Sequence, residues 1–425
     1  MKPKICLYED DRFVDFFPLT HLRPVFSLRS GIVPLVRRVE RYFENPDLCL
    51  CCRGALAPLV ASELRDYPVN LIKRQEDQPV LFLNGRLRDY GDLVEKLDGV
   101  RLVTRLTTRE GETAAVYFPG DALSRVPGVA AIEQYFEEYR RFPDEVAELE
   151  NGAILYHHCW ELVDDIEKEV TADFDFLESS LGGLDQAVIH KGAHLLEGDR
   201  IHIGAGVEVL PGSLLDASHG PIFIGDNTRV ESQVAVYGPC YVGPNSVLVA
   251  GKITACSLGH TSRAGGEIEE TIFQSYVNKY HAGFIGHSYV GSWVNFGAMT
   301  TNSDLKNNYS NIRVSLNGEA VDTGSIKVGS FIGDHTKFGI GTLLNTGINI
   351  GVSCNLFGGS LIADKEVPSF SWGNSNGYQK YQFEKAIVTM RRSAARRQVD
   401  LSPSEEELLQ CLFEGQANNS GTVTF

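Results

Sequence analysis

The sequence predicts an α/β domain followed by a left-handed parallel β-helix built from hexapeptide repeats, with helices at the C-terminus. Two observations carry this prediction. Short apolar runs alternate with helical stretches over the first 150 residues, and aliphatic residues then recur every six positions between about residues 185 and 364. Alternating strand and helix patterns are typical of a largely parallel sheet. A period of six fits neither an α-helix nor a simple alternating strand.

Size, charge and cysteine content narrow the class of protein. A chain of 425 residues is too long for one ordinary core, so we expect two domains with connectors. A net charge of −16 argues against nucleic acid or an anionic membrane as the main partner. No apolar run is long enough for a membrane span or a signal peptide. We therefore expect a cytoplasmic protein with reduced thiols.

The nine cysteines include a single C-x-x-C pair, Cys49 and Cys52. A redox or zinc site would need this pair, but zinc would also need a second ligand pair with suitable spacing. The pair is more typical of a buried strand of small apolar residues, and we identify no metal site from the sequence.

Residues 1–150 form the predicted α/β domain, and residues 151–185 a predicted linker. The predicted strands are the apolar runs ICLY (5–8), LCLCC (48–52), VNLI (69–72) and PVLFLNG (79–85). Ile32–Phe43 is predicted to be a helix, and residues 118–150 to be helical or loop-like.

The segment PLTHLRPVFSLRSGI, residues 18–32, follows the first predicted strand, where α/β domains place ligand-binding loops. Arg23 and Arg29 in this segment are candidates for holding phosphates, because guanidinium groups match phosphate oxygens. The same arginines could instead pair with the acidic segment EDDRFVD, and the residues alone leave both readings open. Asn84 and Gly85 end another buried strand and are predicted to line a pocket edge.

Residues 186–372 form the predicted β-helix. The residues six apart are Ile203, Val209 and Leu215, then Ile224, Val230, Val236, Val242 and Leu248, and finally Ile326, Ile332, Phe338, Leu344, Ile350, Leu356 and Ile362. This pattern fits a coil with three short flat faces per turn and the aliphatic residue pointing inward. Neighbouring Gly, Asn and Asp residues suit corners that need a positive φ. Stacked turns then bury the aliphatic series continuously.

The period is interrupted twice, between residues 250 and 281 and between Ser303 and Gly324. Interruptions of a solenoid map to loops on one face, where function is often located. In the predicted helical tail, residues 373–425, one helix covers Ser375–Arg397, and its basic end suits a helix C-terminus. A second helix begins with Ser402 as cap, followed by Pro403 and Glu405. We expect these helices to cap the open end of the coil.

The stretch K-x-H-A-G-F-I-G-H-S-x-V-G-S-W-V-N-F-G-A-M-T-T-N, residues 279–302, carries a resemblance to a known family. It resembles the acetyltransferase core of the bifunctional UDP-N-acetylglucosamine pyrophosphorylase/glucosamine-1-phosphate N-acetyltransferases, in particular a shortened bacterial variant. The order of segments is also similar: an α/β nucleotidyltransferase-like domain, a linker, a left-handed β-helix and a tail.

The resemblance implies roles for individual residues. His281 lies where the family has its catalytic base, Asn295 matches an asparagine that contacts the sugar phosphate, and Asn302 matches one placed near the base. Gly297 and Ala298 match the backbone that contacts acetyl-CoA. Phe284 replaces a family tyrosine, so we expect Lys279, Tyr280 or Lys306 to bind the sugar phosphate in place of the missing hydroxyl.

The N-terminal half departs further from the family. The glycine-rich loop that cradles nucleotide phosphates is absent, and residues 18–32 take its place. Gly85 and Arg86 stand where the family has the Gly-Asp that holds Mg²⁺, and a guanidinium cannot replace a carboxylate ligand. The resemblance implies Mg²⁺ for nucleotidyl transfer, but the sequence does not identify residues that would bind it. Nucleotidyl transfer either uses other residues or is lost.

The resulting hypothesis is a homotrimeric enzyme that N-acetylates an amino-sugar 1-phosphate such as glucosamine 1-phosphate, with acetyl-CoA as donor. Nucleotidyl transfer from a nucleoside triphosphate would be coupled to it and would give a UDP-sugar. An imidazole suits the base because it titrates near neutrality. One alternative is a sugar-1-phosphate nucleotidyltransferase whose β-helix is an oligomerisation platform. A second is a non-catalytic scaffold or sensor, which Phe284 and Arg86 favour.

Overall fold

A computed structural model of the chain describes residues 2–72, 77–120, 122, 146–177 and 186–415. The N-terminal domain contains a six-stranded mixed sheet with the order β2-β1-β3-β6-β5-β7. Its strands are β1 Lys4–Tyr8, β2 Asp47–Cys51, β3 Val80–Asn84, β5 Val103–Thr107, β6 Thr113–Phe118 and β7 Val146–Glu150, while β4 Leu87–Asp89 pairs with β8 Ile154–Leu155 beside the sheet. The central strands β2, β1 and β3 are parallel, and β6 runs antiparallel to β3.

The α/β domain is confirmed, but several of its elements differ from prediction. Around residues 32–43 the structure has only helix α1, Leu35–Arg38, followed by a 3₁₀ turn, Val39–Arg41. The predicted strand 69–72 is reduced to isolated bridges at Val69, which pairs with Leu50, and at Leu71. Within the predicted stretch 118–150, residues 123–145 lie outside the described residues and the last five form β7. The other helices here are α2 Ala57–Glu63 and α3 Leu93–Lys96.

The segment that we predicted to be a linker contains two packed helices, α4 Cys159–Asp164 and α5 Ile166–Leu177. They form because apolar residues recur at helical spacing and face a common core. The buried set on these helices is Cys159, Trp160, Leu162, Val163, Ile166, Val170 and Phe174. Residues 151–177 are therefore part of the folded N-terminal unit, and residues 178–185 lie outside the described residues.

The C-terminal half is a parallel β-helix with three faces. Face A stacks β9 Val188–Ile189, β12 Glu208–Val209, β15 Arg229–Val230, the first parts of β18 Val247–Thr254 and β20 Arg263–Glu269, β22 Asn278–Lys279, β25 Asn295–Phe296, β30 Lys337–Phe338, β33 Asn355–Leu356 and β36 Ser371–Asn374. Face B stacks β10 His194–Leu196, β13 Leu214–Asp216, β16 Val234–Tyr237, the ends of β18 and β20, β23 Phe284–Gly286, β26 Thr301–Asn302, β31 Leu343–Leu344 and β34 Leu361–Ile362. Face C stacks β11 Ile201–Ile203, β14 Ile222–Ile224, β17 Cys240–Val242, β19 Ser257–Leu258, β21 Ile272–Phe273, β24 Tyr289–Val290, β29 Ser330–Ile332, β32 Ile348–Ile350 and β35 Glu366–Val367.

The inward-pointing aliphatic series is confirmed with one exception. From Ile203 to Leu248 and from Ile332 to Ile362 every predicted member is buried in one continuous core. Ile326 is exposed instead, because it lies at the neck of an excursion, next to a backbone bridge between Leu305 and Lys327.

The first interruption of the period, residues 250–281, is not the intervening loop that we expected. The coils continue there but are shorter, because the strand register pairs Leu248 with Ala264 and then Ala264 with Lys279, steps of 16 and 15 residues. The corner between faces A and B is lost in β18 and β20, which run continuously across it. This tightening requires glycine, since a Cβ on Gly251 would lie 2.0 Å from the Gly266 carbonyl oxygen.

The second interruption is confirmed as an excursion from the coil. After β26 the chain leaves the β-helix, forms the hairpin β27 Arg313–Leu316 and β28 Glu319–Asp322, and returns at β29. Ile312, Val314 and Leu316 are buried against N-terminal residues. The excursion therefore belongs to the contact between the two halves of the molecule.

The two halves share a hydrophobic cluster on face C. Tyr241, Ile272, Tyr289 and Phe331 of the β-helix pack against residues 13–35 and helices α4 and α5. Polar contacts run through the segment 18–32: Tyr289 Oη accepts from the Arg29 backbone N–H at 2.9 Å, and Ser257 Oγ donates to the Gly31 carbonyl at 2.6 Å.

The first helix of the C-terminal tail begins later than predicted. A turn at residues 374–377 begins a hairpin of β36 with β37 Gly377–Lys380, so helix α6 starts only at Phe383 and ends at Ala395. Helix α7, Pro403–Phe413, has the predicted Ser402 cap. The apolar sides of both helices belong to one hydrophobic cluster with Leu59 and Val60 of α2, and Phe370 of the last coil packs against Phe383 and Phe413. No helix in the described ranges is long and apolar enough to cross a membrane.

Removal of the buried Arg23–Asp334 ion pair should loosen the contact between the halves. Arg23 donates to both Asp334 oxygens, at 3.0 and 2.6 Å, and both side chains are largely buried. Arg23→Ala leaves an uncompensated buried carboxylate, which costs about 3–5 kcal/mol, so we expect a lower melting temperature. Combined Arg23→Met and Asp334→Leu should restore much of the loss. Equal melting temperatures for wild type and Arg23→Ala would contradict this role.

Candidate active site

His281 lies at the corner between faces A and B, in the coil formed by β22, β23 and β24. Its residue is exposed, and within the described part of the chain no hydrogen bond to its imidazole is found; the nearest ring is Tyr280, with centroids 5.3 Å apart. The backbone around it is held tightly, since Ala282 O accepts from Met299 N–H at 2.8 Å. The imidazole is thus accessible on a fixed corner.

Lys279 occupies an inward position of the coil, where neighbouring coils carry Ala264 and Phe296. Its side chain is only 1% exposed, and Nζ donates to the carbonyl oxygens of Gly265 at 3.0 Å and His281 at 2.5 Å. Burial lowers its pKa to about 8. We predicted that Lys279 binds substrate, but its burial means that in this structure it positions the His281 corner instead.

Asn302 also points into the coil. Its Oδ1 accepts from Gly286 N–H at 2.9 Å, and its Nδ2 donates to Gly286 O at 2.9 Å and Ser288 Oγ at 3.2 Å. These bonds satisfy backbone groups at the point where the chain departs into the excursion. The predicted place of Asn302 beside the base therefore becomes a structural contact with β23 inside the coil.

Asn295, Gly297 and Ala298 lie one coil after His281. Asn295 is on the outer side of face A, where its Oδ1 accepts from Asn278 Nδ2 at 2.7 Å. Gly297 and Ala298 form the A–B corner next to that of His281, and a Cβ on Gly297 would lie 2.6 Å from the Gly339 carbonyl carbon. The structure thus brings His281, Gly297 and Ala298 to adjacent corners, about one strand spacing of 4.8 Å apart.

Phe284 lies on the outer side of face B, close to the same corner. A Cβ on Gly286 would lie 2.3 Å from the tip of its ring, so the phenyl group covers that glycine. The ring has no hydroxyl to offer a phosphate, and the sequence-based expectation that another group must do so stands.

The edge of the N-terminal sheet holds an ion network in place of a metal site. Arg86 is 2% exposed; it contacts Asp10 at 2.7 Å and Glu112 at 3.0 Å, and Glu112 reaches His157 at 2.5 Å. Asn84 Nδ2 donates to Asp10 at 2.8 Å, and a Cβ on Gly85 would meet the Tyr8 carbonyl oxygen at 2.9 Å. Because a buried guanidinium already neutralises the carboxylates, these residues do not fit Mg²⁺.

The sequence left open whether Arg23 and Arg29 hold phosphates or pair with the acidic segment 9–15, and the structure gives both side chains other partners. Arg23 pairs with Asp334 of the β-helix, and not with the acidic segment 9–15. The Arg29 side chain donates to the Ile32 carbonyl oxygen at 2.7 Å, while its buried Nε lacks a partner among the described residues. Both arginines line a cavity of about 560 Å³ between the N-terminal domain, the β-helix and the tail. Burial raises the pKa of Glu63 in this cavity to about 7, although Arg23 lowers it.

A smaller basic pocket of about 80 Å³ adjoins that cavity, and Tyr276 and Trp293 line both. Its remaining lining residues are Asn278, Val294, Asn295, Lys337, Ser393, Arg396 and Arg397. Lys337 was not predicted as a site residue, because nothing near it in the chain marks it as functional, and the two arginines were predicted only to suit the helix end. Their spatial meeting depends on how the tail folds back, which no local pattern encodes.

His287 stands at the corner between faces B and C, within a cluster of acidic side chains. Its Nδ1 lies 2.8 Å from Asp304 and its Nε2 lies 3.3 Å from Glu270. Burial alone would lower its pKa, but these two carboxylates raise the pKa to about 9. Single ligand atoms of Glu269, Glu270 and His287 fall within 4.8 Å of one another, yet a metal would have to displace the proton that His287 holds at neutral pH.

Residues 5–181 match the family model described as sugar nucleotidyl transferase. Three curated relatives are named as bifunctional proteins. The sugar-1-phosphate nucleotidylyltransferase/acetyltransferase of Sulfurisphaera tokodaii is 26% identical over 122 residues, which are 29% of this chain and 28% of that protein. GlmU of Methanococcus vannielii is 31% identical over 140 residues, which are 32% of this chain and 31% of that protein. GlmU of Rippkaea orientalis is 33% identical over 136 residues, which are 30% of this chain and 27% of that protein. The chain thus matches about a third of the length of these relatives.

Two solved structures with some likeness are UDP-N-acetylglucosamine acyltransferases. The enzyme of Francisella novicida is 11% identical, with a TM-score of 0.21, and the match covers 53% of this chain and 89% of that one. The Arabidopsis enzyme is 12% identical, with a TM-score of 0.18, and the match covers 55% and 89%.

Loss of a carboxylate beside His287 should lower stability in a pH-dependent manner. The folded-state pKa is raised from 6.5 to about 9, so the stabilisation is complete below about pH 6.5 and is lost as pH rises through 9. At 1.36 kcal/mol per pKa unit it amounts to at most about 3 kcal/mol. Asp304→Asn should therefore lower the melting temperature at pH 6 and much less above pH 9.

The exposed pair of His190 and Glu208 provides the matched control, because such pairs contribute less than about 1 kcal/mol. His190→Gln should change the melting temperature little at either pH. If Asp304→Asn lowered it equally at both pH values, the contribution would be one of packing and not of charge.

Proposed function

We propose that the chain transfers the acetyl group of acetyl-CoA to the amine of an amino-sugar 1-phosphate, at the corner of the β-helix that carries His281. The observation that supports this most directly is the accessible imidazole on a rigid corner, one coil from the Gly297–Ala298 corner. The curated relatives are named as bifunctional proteins, one of them as a nucleotidylyltransferase/acetyltransferase, which agrees with acetyl transfer.

In the proposed reaction the amine nitrogen attacks the thioester carbonyl carbon, and the carbon–sulfur bond breaks when the intermediate collapses. The amine must be neutral to attack, so His281 accepts its proton and then returns it to the departing thiolate. A backbone N–H of the neighbouring corner would stabilise the developing oxyanion. The internal hydrogen bonds of Lys279 keep the His281 backbone in place during these steps.

We also propose that face B packs against further copies of the chain, as a trimer. Face C is covered by the N-terminal domain. Face B has no such cover in the described ranges, and near its end apolar side chains are exposed: Met299 by 57%, Ile340 by 73%, Leu343 by 43% and Leu361 by 49%. Exposed apolar patches of this kind are typical of association surfaces. All nine cysteines are free, which supports a cytoplasmic location.

A second candidate function is nucleotidyl transfer from a nucleoside triphosphate to a sugar 1-phosphate. The match of residues 5–181 favours it, and the neutralised carboxylates beside Arg86 weigh against it. The two candidates are separable, because nucleotide-sugar formation would survive the loss of His281. Failure to bind either acetyl-CoA or a nucleoside triphosphate would favour a scaffold or sensor instead.

Loss of the His281 imidazole should abolish most acetyl transfer. We expect His281→Ala to lower the rate of thiol release from acetyl-CoA with glucosamine 1-phosphate by roughly 100-fold or more, the scale of a lost general base. His219→Ala, at an exposed loop of the same β-helix, serves as the control and should keep the wild-type rate. Wild-type protein that is inactive with every amino-sugar phosphate would rule out the proposed reaction.

Charged residues on face B should break the proposed trimer. Leu343→Asp combined with Leu361→Asp places carboxylates in the middle of the apolar patch, so light scattering after gel filtration should show the mass of one chain in place of three. Val388→Asp, an exposed apolar position on helix α6, is the matched control and should leave the mass unchanged. A single-chain mass for the wild type would contradict the assembly.

A further inference from the structure

Four ring-bearing residues stand at corner positions that normally exclude them. At the corner between faces C and A, one residue per coil has a left-handed backbone, and the early coils place Gly206, Asn227 and Asn245 there. Later coils place Thr261, Tyr276, Trp293, His335, Ser353 and Phe370 at the same position, with φ between 57° and 63°. For a bulky residue this conformation costs about 1–2 kcal/mol. The left-handed backbone recurs at this corner in coil after coil, and the rings of three neighbouring coils, Tyr276, Trp293 and His335, are the feature particular to this part of the corner.

Three of these rings, those of Tyr276, Trp293 and His335, form a column along this corner. The centroids of Tyr276 and Trp293 are 4.0 Å apart with planes inclined by 5°, and His335 lies parallel to Trp293 at 6.3 Å. His335 is fixed from the tail, because its Nε2 lies 2.9 Å from Glu405. Tyr276 and Trp293 are half-buried and line both the 560 Å³ cavity and the basic pocket.

The basic pocket contains cations without anionic partners. The Lys337 Nζ donates to the Trp293 carbonyl oxygen, and burial lowers its pKa to about 7. Arg396 and Arg397, which follow helix α6, make no ion pair with any described residue, and no acidic side chain is among the described residues that line the pocket. Burial and the neighbouring Arg263 and Arg396 lower the pKa of Arg397. This local excess of positive charge stands out in a chain of net charge −16.

We propose that this pocket binds the phosphate group of a small organic phosphate, whose remaining part lies in the larger cavity against Tyr276 and Trp293. Guanidinium and ammonium groups together are the donors that phosphate oxygens prefer. The pocket volume of about 80 Å³ exceeds the 10–15 Å³ that one water needs and suits a group of several atoms. The adjoining cavity, at about 560 Å³, falls within the usual range for metabolite sites.

The site lies between three parts of the chain, so the ligand would link them. Lys337 and the rings belong to the β-helix, Arg396 and Arg397 to the tail, and Arg29 on the far wall to the N-terminal segment. The inference does not depend on acetyl transfer at His281, because binding is measured without any reaction. Only Asn295 is shared between this pocket and the residues implied by the family resemblance.

Calorimetric titration of the full chain tests the proposal with three probes: inorganic phosphate, glucosamine 1-phosphate and UDP. We expect at least one organic phosphate to bind more tightly than inorganic phosphate, since it also fills the cavity. Lys337→Met, and separately Arg396→Ala with Arg397→Ala, should each weaken that binding about tenfold or more, the scale of a lost charge-assisted hydrogen bond. Arg392→Ala, an exposed arginine on the same helix outside the pocket, should bind as wild type does.

Two further variants separate the outcomes. Trp293→Phe should weaken the organic probe but not inorganic phosphate, and His219→Ala, on an exposed loop outside the pocket and the cavity, should bind every probe like the wild type. Unchanged affinity in the Arg396→Ala/Arg397→Ala variant, with melting temperature also unchanged, would overturn the proposal. So would the absence of binding of all three probes at millimolar concentration. Preference for UDP or for glucosamine 1-phosphate decides which class of organic phosphate the cavity accepts.

Discussion

The parallel stacking of the coils is the constraint on which the rest of the structure depends. Every coil must place an apolar residue inward and pair its backbone with the coils on both sides, since an unpaired buried amide or carbonyl costs about 1–3 kcal/mol. Where the chain breaks the pattern, other groups must supply the missing bonds. Lys279 and Asn302 do so from inside the coil. Lys279 fixes the His281 corner and Asn302 fixes the start of the excursion. The polar side chains inside the coil therefore also position the candidate site.

In the N-terminal domain, the segment that we predicted to bind a ligand contacts the β-helix. Residues 18–32, which follow the first strand, make the contact with face C through Arg23, Arg29 and Gly31. Beside them, Arg86 fills the carboxyl edge of the sheet and binds the acidic groups there. Residues 5–181 therefore match the sugar nucleotidyl transferase family model in sequence, while the polar groups at this edge of the sheet form a buried ion network.

The sequence predicted what depends on local periodicity. The inward aliphatic series, the excursion after Ser303 and the Ser402 cap follow from residues close together in the chain, and the structure has them. The short coils at residues 250–281 were read as a loop, because deleted corners and inserted loops disturb a six-residue period in the same way. Helices α4 and α5 were missed because their apolar residues meet a core built from distant segments.

The candidate site was predictable only in part, for the same reason. His281, Gly297 and Ala298 could be named because they belong to one continuous motif. The meeting of Lys337 with Arg396 and Arg397 depends on the path of the tail over some sixty residues, and the burial of Lys279 depends on which face of β22 points inward. The sequence alone does not distinguish a charged residue that points into the coil from one that points to solvent, because this depends on the strand register.

The contact between Arg23 and Asp334 joins residues 311 positions apart, which has a consequence for biosynthesis. At 5–20 residues per second, roughly 15–60 s pass on the ribosome between the synthesis of the loop and that of its partner. Until Phe331 has also been made, Trp160, whose ring centroid finally lies 6.1 Å from that of Phe331, lacks this β-helix partner. The nascent N-terminal domain then exposes the apolar surface that later packs against the β-helix. A chaperone that binds during translation would cover this surface.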